Sequence, residues 1–148
     1  METTTVRLAR AEDFEAVSAL LSELGRPGVT PDNQVKLQAV YDRHLRRSDT
    51  ASLVAEAGGR IVGFMSLEFR ERLNRESPEA WVPDLIVTED VRATGAGKAL
   101  LQRGMDLARE RGCWALTLES GYSRERAHRF YRLQGMTDEG LFFRYKLV

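Results

Sequence analysis

The sequence predicts one α/β domain over residues 1–148, in which a mixed, mostly antiparallel β-sheet carries helices on both faces. Two observations predict this architecture: antiparallel strand signals dominate the first half of the chain, and strand–helix–strand units follow in the second half. A third observation concerns the domain count, since 148 residues is an ordinary single-domain length. A chain of this size can bury a core without a disulfide or a structural metal.

The amino-terminal part begins with a strand and two helices. Thr4–Leu8 alternates polar and apolar residues, which is typical of a strand. Ala11–Leu24 repeats apolar residues at helical spacing, and glycine and proline at positions 25–28 end that helix. Thr30 followed by Pro31 is a typical helix start, so a second helix is expected from there toward Leu45.

The clearest local signal is a β-hairpin, followed by alternating strands and helices. Gly58-Gly59 is a typical two-residue hairpin turn, and it separates strand Ser52–Glu56 from strand Arg60–Phe69. The later elements follow from apolar runs and glycine breaks. They are a mostly buried fourth strand Ala80–Val87, a helix Gly97–Arg111, a fifth strand Trp114–Leu118, a helix Glu125–Leu133 and a closing strand Leu141–Val148.

Charge and composition exclude several classes of function. Lys plus Arg (22) equals Asp plus Glu (22), so no bulk attraction to nucleic acid or to an anionic membrane is expected. No apolar run approaches the roughly 20 residues of a membrane span, and Met1–Arg10 lacks the apolar segment of a signal peptide. Cys113 is the only cysteine, and the two histidines have no metal-ligand partners at typical spacing. We therefore expect a cytoplasmic protein without metal, nucleic-acid or membrane partners.

The segment from Val87 to Lys98 predicts an anion site. A buried strand runs into a loop that contains Gly95 and Gly97, and an amphipathic helix begins directly behind the loop. The first N–H groups of a helix lack intrahelical acceptors, and with the helix dipole they suit phosphate oxygens. Arg92 and Lys98 add positive charge. The alternative is a tight strand–helix turn that binds no ligand.

This strand, loop and helix resemble the pyrophosphate loop of the GNAT (Gcn5-related N-acetyltransferase) superfamily. The resemblance implies a GNAT-like sheet that splays between its fourth and fifth strands to admit the pantetheine arm of coenzyme A. It also implies that main-chain amides of the loop hold the coenzyme A pyrophosphate. The cofactor-binding residues implied here are Ile86, Val87, Arg92, Ala93, Thr94, Gly95, Ala96, Gly97 and Lys98. The family usually has a basic residue where Thr94 stands.

A second motif, from Ala127 to Met136, resembles the family pattern Ala-x-x-Phe-Tyr-x-x-x-Gly-Phe. The resemblance implies that Ala127 and Phe130 lie at the cofactor, and that Arg124 stands where relatives often carry an asparagine that contacts the pantetheine arm. Tyr131 then has a chemical role, because a phenol can protonate the coenzyme A thiolate as it leaves. The alternative is that Tyr131 only packs.

Asp84 is the leading candidate to receive the proton of the attacking amine. It interrupts an apolar strand and shares a face with Val82 and Ile86 by alternation. It could act directly, through a chain of waters, or only by attracting the cationic substrate. A purely structural aspartate is a further alternative, and Glu119 and Glu68 are the other candidate bases.

The predicted activity is transfer of an acetyl group from acetyl-CoA to the primary amine of a small molecule. Direct attack in a ternary complex is expected, because no activated nucleophile for a covalent intermediate is apparent. Acetylation of a protein N-terminus or lysine, and a non-catalytic acyl-CoA-binding module, are the alternatives. Relatives often form homodimers, so a homodimer is also expected.

Overall fold

Six strands form one sheet in the order β1-β2-β3-β4-β6, and β5 pairs with β3 beside β4. The computed structural model describes residues 3–24, 28–89 and 95–148. The strands are β1 (Thr4–Leu8), β2 (Thr50–Ala57), β3 (Arg60–Arg70), β4 (Glu79–Val82), β5 (Leu85–Val87) and β6 (Ala115–Leu118). The helices are α1 (Phe14–Glu23), α2 (Gln34–Arg46), α3 (Ala96–Glu110) and α4 (Glu125–Leu133). Two compact units, Met1–Thr117 and Leu118–Val148, are described separately below.

The predicted hairpin forms the centre of the sheet. β2 and β3 pair antiparallel around Gly58 and Gly59, whose φ angles of 59° and 73° are those that glycine adopts without strain. β1 pairs antiparallel with β2, and both β4 and β5 pair antiparallel with β3. The prediction of a mostly antiparallel sheet is therefore confirmed.

Helices cover both faces of this sheet, as predicted. α1 and α2 pack on one face, where they form an apolar cluster with the sheet. Its buried members are Phe14, Val17, Leu20, Tyr41, Val54, Phe64 and Ile86. α3 packs on the opposite face so closely that a Cβ at Gly104 would lie 2.9 Å from the Met65 sulfur. Phe64 and Met65 are consecutive, so the alternation of side chains along β3 serves both helix layers.

A buried ion pair ties the first strand to the start of α1. The Arg7 guanidinium donates to both carboxylate oxygens of Asp13, at 2.8 and 3.0 Å, and also to Glu56 at 2.6 Å. Asp13 additionally accepts from the main-chain N–H of Arg10 at 2.7 Å. The hydrogen bonds from Arg7 hold the pKa of the Asp13 carboxyl below its usual range.

Three predicted elements differ from the structure. The second helix begins at Gln34 rather than at Pro31, because the Asn33 side chain accepts from the Thr30 N–H at 2.7 Å and closes a turn first. The predicted strand Ala80–Val87 is two strands, since Pro83 has no N–H to donate to a ladder. The predicted closing strand Leu141–Val148 was wrong. A strand needs a neighbour that pairs with its main-chain N–H and C=O groups, and none of the six strands in the described residues pairs with residues 141–148.

The second unit is built around α4, which forms over the predicted residues. Its end is a Schellman motif: the Gly135 N–H donates to the Arg132 carbonyl and the Met136 N–H to the Tyr131 carbonyl, both at 3.0 Å. Gly135 has φ 91°, which explains why glycine follows the helix in this motif. Among the helices of the described residues, none combines the length and the apolar character that a bilayer crossing requires.

Candidate active site

On the sheet face that carries α1 and α2, the side chains change from apolar to polar along β2 and β3. Three consecutive cross-strand pairs on this face are Val54–Phe64, Ser52–Ser66 and Thr50–Glu68. The first pair belongs to the apolar cluster, whereas the other two present hydroxyl and carboxyl groups. The sheet therefore has a polar end on this face, beside the apolar core.

Asp84 is fixed at this polar end by one serine. The Ser66 hydroxyl donates to Asp84 Oδ2 at 2.9 Å and accepts from the Asp84 N–H at 3.1 Å. The Ser66 N–H donates to the Asp84 carbonyl at 2.9 Å. These bonds span the break between β4 and β5, where Pro83 cannot donate. The predicted acidic residue is thus held in one position at the point where the strand is interrupted.

The start of α3 has the features of an anion site. Its N-cap is the exposed Gly95, with φ 86°. Among the residues that the structure describes, no side-chain hydrogen bond caps this end, and the first turn contains no acidic residue. Ala96 is fully buried, whereas Lys98 is exposed. The N–H groups of a first helical turn lack intrahelical partners, so this end can bind phosphate oxygens. The predicted contacts at Arg92, Ala93 and Thr94 lie outside the described residues.

The two predicted cofactor residues on β5 differ in their surroundings. The Ile86 side chain is 6% exposed and belongs to the apolar cluster under α1 and α2. Any cofactor contact from Ile86 would therefore come from its main chain. Val87 is partly buried and is paired with Gly63 of β3. In the sheet order β6 neighbours β4, whereas β5 pairs with β3. The splay that would admit the pantetheine arm stays a prediction.

α4 carries the remaining predicted residues. The rings of Phe130 and Tyr131 meet edge to face with centroids 5.6 Å apart. Burial raises the pKa of Tyr131, and the positive charge of Arg124 opposes that rise. The phenol therefore keeps its proton throughout the neutral range, as a general acid must. Arg124 is the N-cap of α4, and Ala127 lies in the first turn of the helix.

The other candidate bases are placed less favourably. Glu68 lies 3.7 Å from the Arg47 guanidinium, which neutralises its charge. Glu119 is exposed. Within residues 3–24, 28–89 and 95–148, no group of three or more His, Cys, Asp or Glu side chains is arranged to hold a metal ion.

Sequence reasoning missed Ser66 as a site residue. The available signal was a single hydroxyl within the apolar run from Ile61 to Leu67. A buried polar side chain in such a strand needs a partner, and a carboxyl group is a strong one. The sequence could not indicate which carboxyl group that would be.

Comparison with known proteins identifies relatives over most of the chain. The model of the "Acetyltransferase (GNAT) family" matches residues 15–136. The aminoalkylphosphonate N-acetyltransferase of Salmonella typhimurium is 28% identical over 138 residues, which cover 91% of this chain and 86% of that protein. The glucosamine 6-phosphate N-acetyltransferase of Trypanosoma brucei brucei is 26% identical, with coverage of 88% and 86%.

Two further matches concern a shorter segment and the fold. The uncharacterized N-acetyltransferase YhdJ of Bacillus subtilis is 43% identical over 65 residues, which are 43% of this chain and 46% of that protein. A crystal structure described as a transcriptional regulator from Bacillus halodurans C-125 superposes with a TM-score of 0.87 and 25% identity. That superposition covers 97% of this chain and 100% of the other.

Proposed function

The chain belongs to the acetyltransferase (GNAT) family and is an acyl-CoA-dependent N-acetyltransferase, and from this premise we propose that it acetylates the primary amine of a small molecule. Acetyl-CoA is the proposed cosubstrate, as in the family. The observation that carries the proposal is the amino-terminal end of α3, which begins at Gly95 and at which no side chain of the described residues forms a capping hydrogen bond. Two features together suit the transfer of an acetyl group to an amine. They are a helix end that can bind phosphate oxygens and an aspartate that is held by a serine.

The coenzyme is proposed to lie with its pyrophosphate at the start of α3. The main-chain amides of residues 95–98 would donate to its oxygens, with Arg92 and Lys98 adding charge. We propose that Ile86 and Val87 contact the pantetheine arm, and that Arg124, Ala127 and Phe130 are further cofactor contacts. These residues are assigned by the resemblance of both motifs to those of the family.

The proposed chemistry is a direct attack in a ternary complex. The amine nitrogen adds to the thioester carbonyl carbon, the C–N bond forms, and the C–S bond then breaks. Tyr131 gives its proton to the departing sulfur, for which its raised pKa keeps it protonated. Asp84 attracts the ammonium group and takes up the amine proton, directly or through water.

A small acceptor is supported by two relatives. The proteins from Salmonella typhimurium and Trypanosoma brucei brucei are named for aminoalkylphosphonate and glucosamine 6-phosphate, which are both small amines. We also propose that the chain acts in the cytoplasm, where acetyl-CoA is available, as one domain over residues 1–148. The family match spans both compact units, which supports a single domain.

We also propose that the chain forms a homodimer, and the carboxyl-terminal segment, residues 141–148, supports this proposal. Six of the residues 141–148 are apolar, and the four at odd-numbered positions would share one face if the segment formed a strand. Those side chains are 66–88% exposed in a single chain: Leu141, Phe143, Tyr145 and Leu147. A second copy would cover them by pairing the segment with its sheet.

The test is a thiol-release assay with acetyl-CoA and a panel of small amines, lysine peptides and amino-terminal peptides. We expect thiol release with one or more small amines, and a product heavier by one acetyl group in mass spectrometry. Thiol release with peptides alone would indicate that the acceptor is a protein rather than a small molecule. If no amine released thiol and calorimetry detected no coenzyme A binding, the proposal would be refuted.

A further inference from the structure

An open cleft of about 520 Å³ lies between the carboxyl-terminal half of α2 and strand β3. We call it the arginine cleft, and its lining residues are Val40, Arg43, His44, Arg46, Arg47 and Glu68. Arg43 and His44 lie three and four residues after Val40, so these three residues form one stripe along α2, and Arg47 is the residue that follows the helix. The cleft is thus built by one helix face and one strand of the same unit.

The arginine cleft contains positive charge that the protein does not neutralise. Arg47 is paired with Asp49 at 3.0 Å and with Glu68 at 3.7 Å. In the part of the chain that the structure describes, neither Arg43 nor Arg46 has an ion-pair partner. The buried Nε2 of His44 likewise has no hydrogen-bond partner among those residues. The two exposed guanidinium groups of Arg43 and Arg46 are therefore available to a ligand.

The cleft adjoins the serine-held aspartate. Glu68 follows Ser66 by two residues on β3 and faces the same side of the sheet, which places their Cα atoms about 7 Å apart. Ser66 in turn holds Asp84 through its hydroxyl group. A small molecule of a few bonds could therefore reach from the carboxylate of Asp84 to the arginines of α2.

We propose that the arginine cleft binds the oxyanion of the acceptor, so that the substrate is a small amine bearing a phosphonate or phosphate group. This inference rests on the proposed function. Asp84 attracts the ammonium group, and the guanidinium groups of Arg43 and Arg46 bind the anion. A guanidinium donates in a fixed fork that matches a phosphorus oxyanion, and its three oxygens can engage both arginines together. A carboxylate offers fewer acceptors.

Basic residues near a helix carboxyl terminus also interact favourably with the helix dipole. A purely structural role for Arg43 and Arg46 would change the stability of α2 and affect all acceptors equally. The two roles therefore separate in kinetics, because an anion site affects only the substrates that carry the anion.

The test compares 2-aminoethylphosphonate with propylamine at saturating acetyl-CoA. We expect Arg43→Gln and Arg46→Gln each to raise KM for the phosphonate about tenfold, with kcat changed by less than about twofold. KM for propylamine should not change, and added salt should weaken only the phosphonate reaction. Arg103→Gln on α3 is the matched control, since Arg103 lies on the surface outside the cleft.

Equal effects on both amines, or none on either, would overturn the inference and leave the proposed acetyl transfer intact. If the wild-type protein acetylated neither amine, calorimetry with 2-aminoethylphosphonate would still decide. If the wild-type protein bound 2-aminoethylphosphonate and Arg43→Gln did not, the anion site in the cleft would be supported, although the proposed acetyl transfer would not be. Absence of binding to the wild-type protein would overturn the cleft as well.

Discussion

The environment of Asp84 determines what this side chain can do. Its carboxylate is held by Ser66 from the neighbouring strand, so it cannot reorient freely toward a substrate. A fixed carboxylate beside a polar sheet end offers a defined position for a cationic amine. The serine thus acts as a positioning residue for the aspartate.

We predict that Asp84→Asn lowers kcat/KM for the amine by about 10²-fold, because the amide can neither attract the ammonium group by charge nor accept its proton. A fall in kcat would assign Asp84 as the base, and a rise in the amine KM alone would assign it to attraction. Stability should change little, since the amide oxygen can still accept from Ser66. Unchanged kinetics in this variant would exclude Asp84 from the reaction.

Ser66→Ala should lower kcat/KM about tenfold and destabilise the domain by about 1–3 kcal/mol, because Asp84 loses the hydroxyl group that donates to its carboxylate and accepts from its N–H. Ser52→Ala is the matched control. Ser52 is the cross-strand neighbour of Ser66, and its buried hydroxyl has no hydrogen-bond partner in the described residues. Denaturation by urea and steady-state kinetics measure both effects. If the two variants lost the same amount of kcat/KM and of stability, Ser66 would have no specific role in positioning Asp84.

Tyr131→Phe should lower kcat by about 10²-fold or more and leave coenzyme A affinity nearly unchanged, because only the acidic proton is removed. Burial raises the pKa of Tyr131, so the acid loses its proton only above the usual value of about 10. Wild-type kcat should accordingly show no loss from this group below about pH 10. Tyr122→Phe, at an exposed tyrosine of the same unit, is the control. Wild-type turnover by Tyr131→Phe would disprove the assignment.

Elements whose ends carry local signals could be predicted from the sequence. The Gly58-Gly59 turn, α3 behind Gly95 and α4 before Gly135 are all local, and the structure confirms each. The break at Pro83 was missed because apolar residues continue on both sides, although a proline cannot donate to a ladder. The bonds that Ser66 supplies there come from 18 residues away and were not predictable. The Asn33 cap was missed because Thr30-Pro31 is an equally typical helix start.

At the element scale, Gly95→Ala should weaken coenzyme A binding about tenfold and cost about 1 kcal/mol of stability. A Cβ at Gly95 would meet no atom within 4 Å, so the cost arises from its φ of 86° rather than from a clash. Relief of that strain would rotate the amides at the start of α3. Calorimetry with coenzyme A measures the affinity.

Gly59→Ala provides the matched control for this variant. Gly59 has φ 73° and equally open surroundings, but it lies in the β2–β3 hairpin. It should lose a similar stability and keep full coenzyme affinity. If both variants lost affinity, the effect would be general destabilisation. If neither did, the start of α3 would not hold the coenzyme.

For the whole molecule, the feature that differs from the sequence prediction is the carboxyl-terminal segment, residues 141–148. Its apolar run predicted a closing strand, yet residues 141–148 pair with no strand of the described residues and expose six apolar side chains. Sequence patterns report which face of a strand is buried, but they do not report which strand, or which copy of the chain, lies beside it. The sheet order ends at β6 in the described residues, so an edge is available there.

We therefore predict a dimer in which residues 141–148 of each copy extend the sheet of the other at β6. Light scattering should give twice the 16.7 kDa of one chain. The double variant Phe143→Glu and Tyr145→Glu should give monomers, because it places charge on the apolar face that the dimer buries. Lys146→Glu, on the opposite face, should remain dimeric. A wild-type monomer would contradict this mutual pairing of the two copies. Protection of residues 141–148 from proteolysis in that monomer would show that the segment folds onto its own chain.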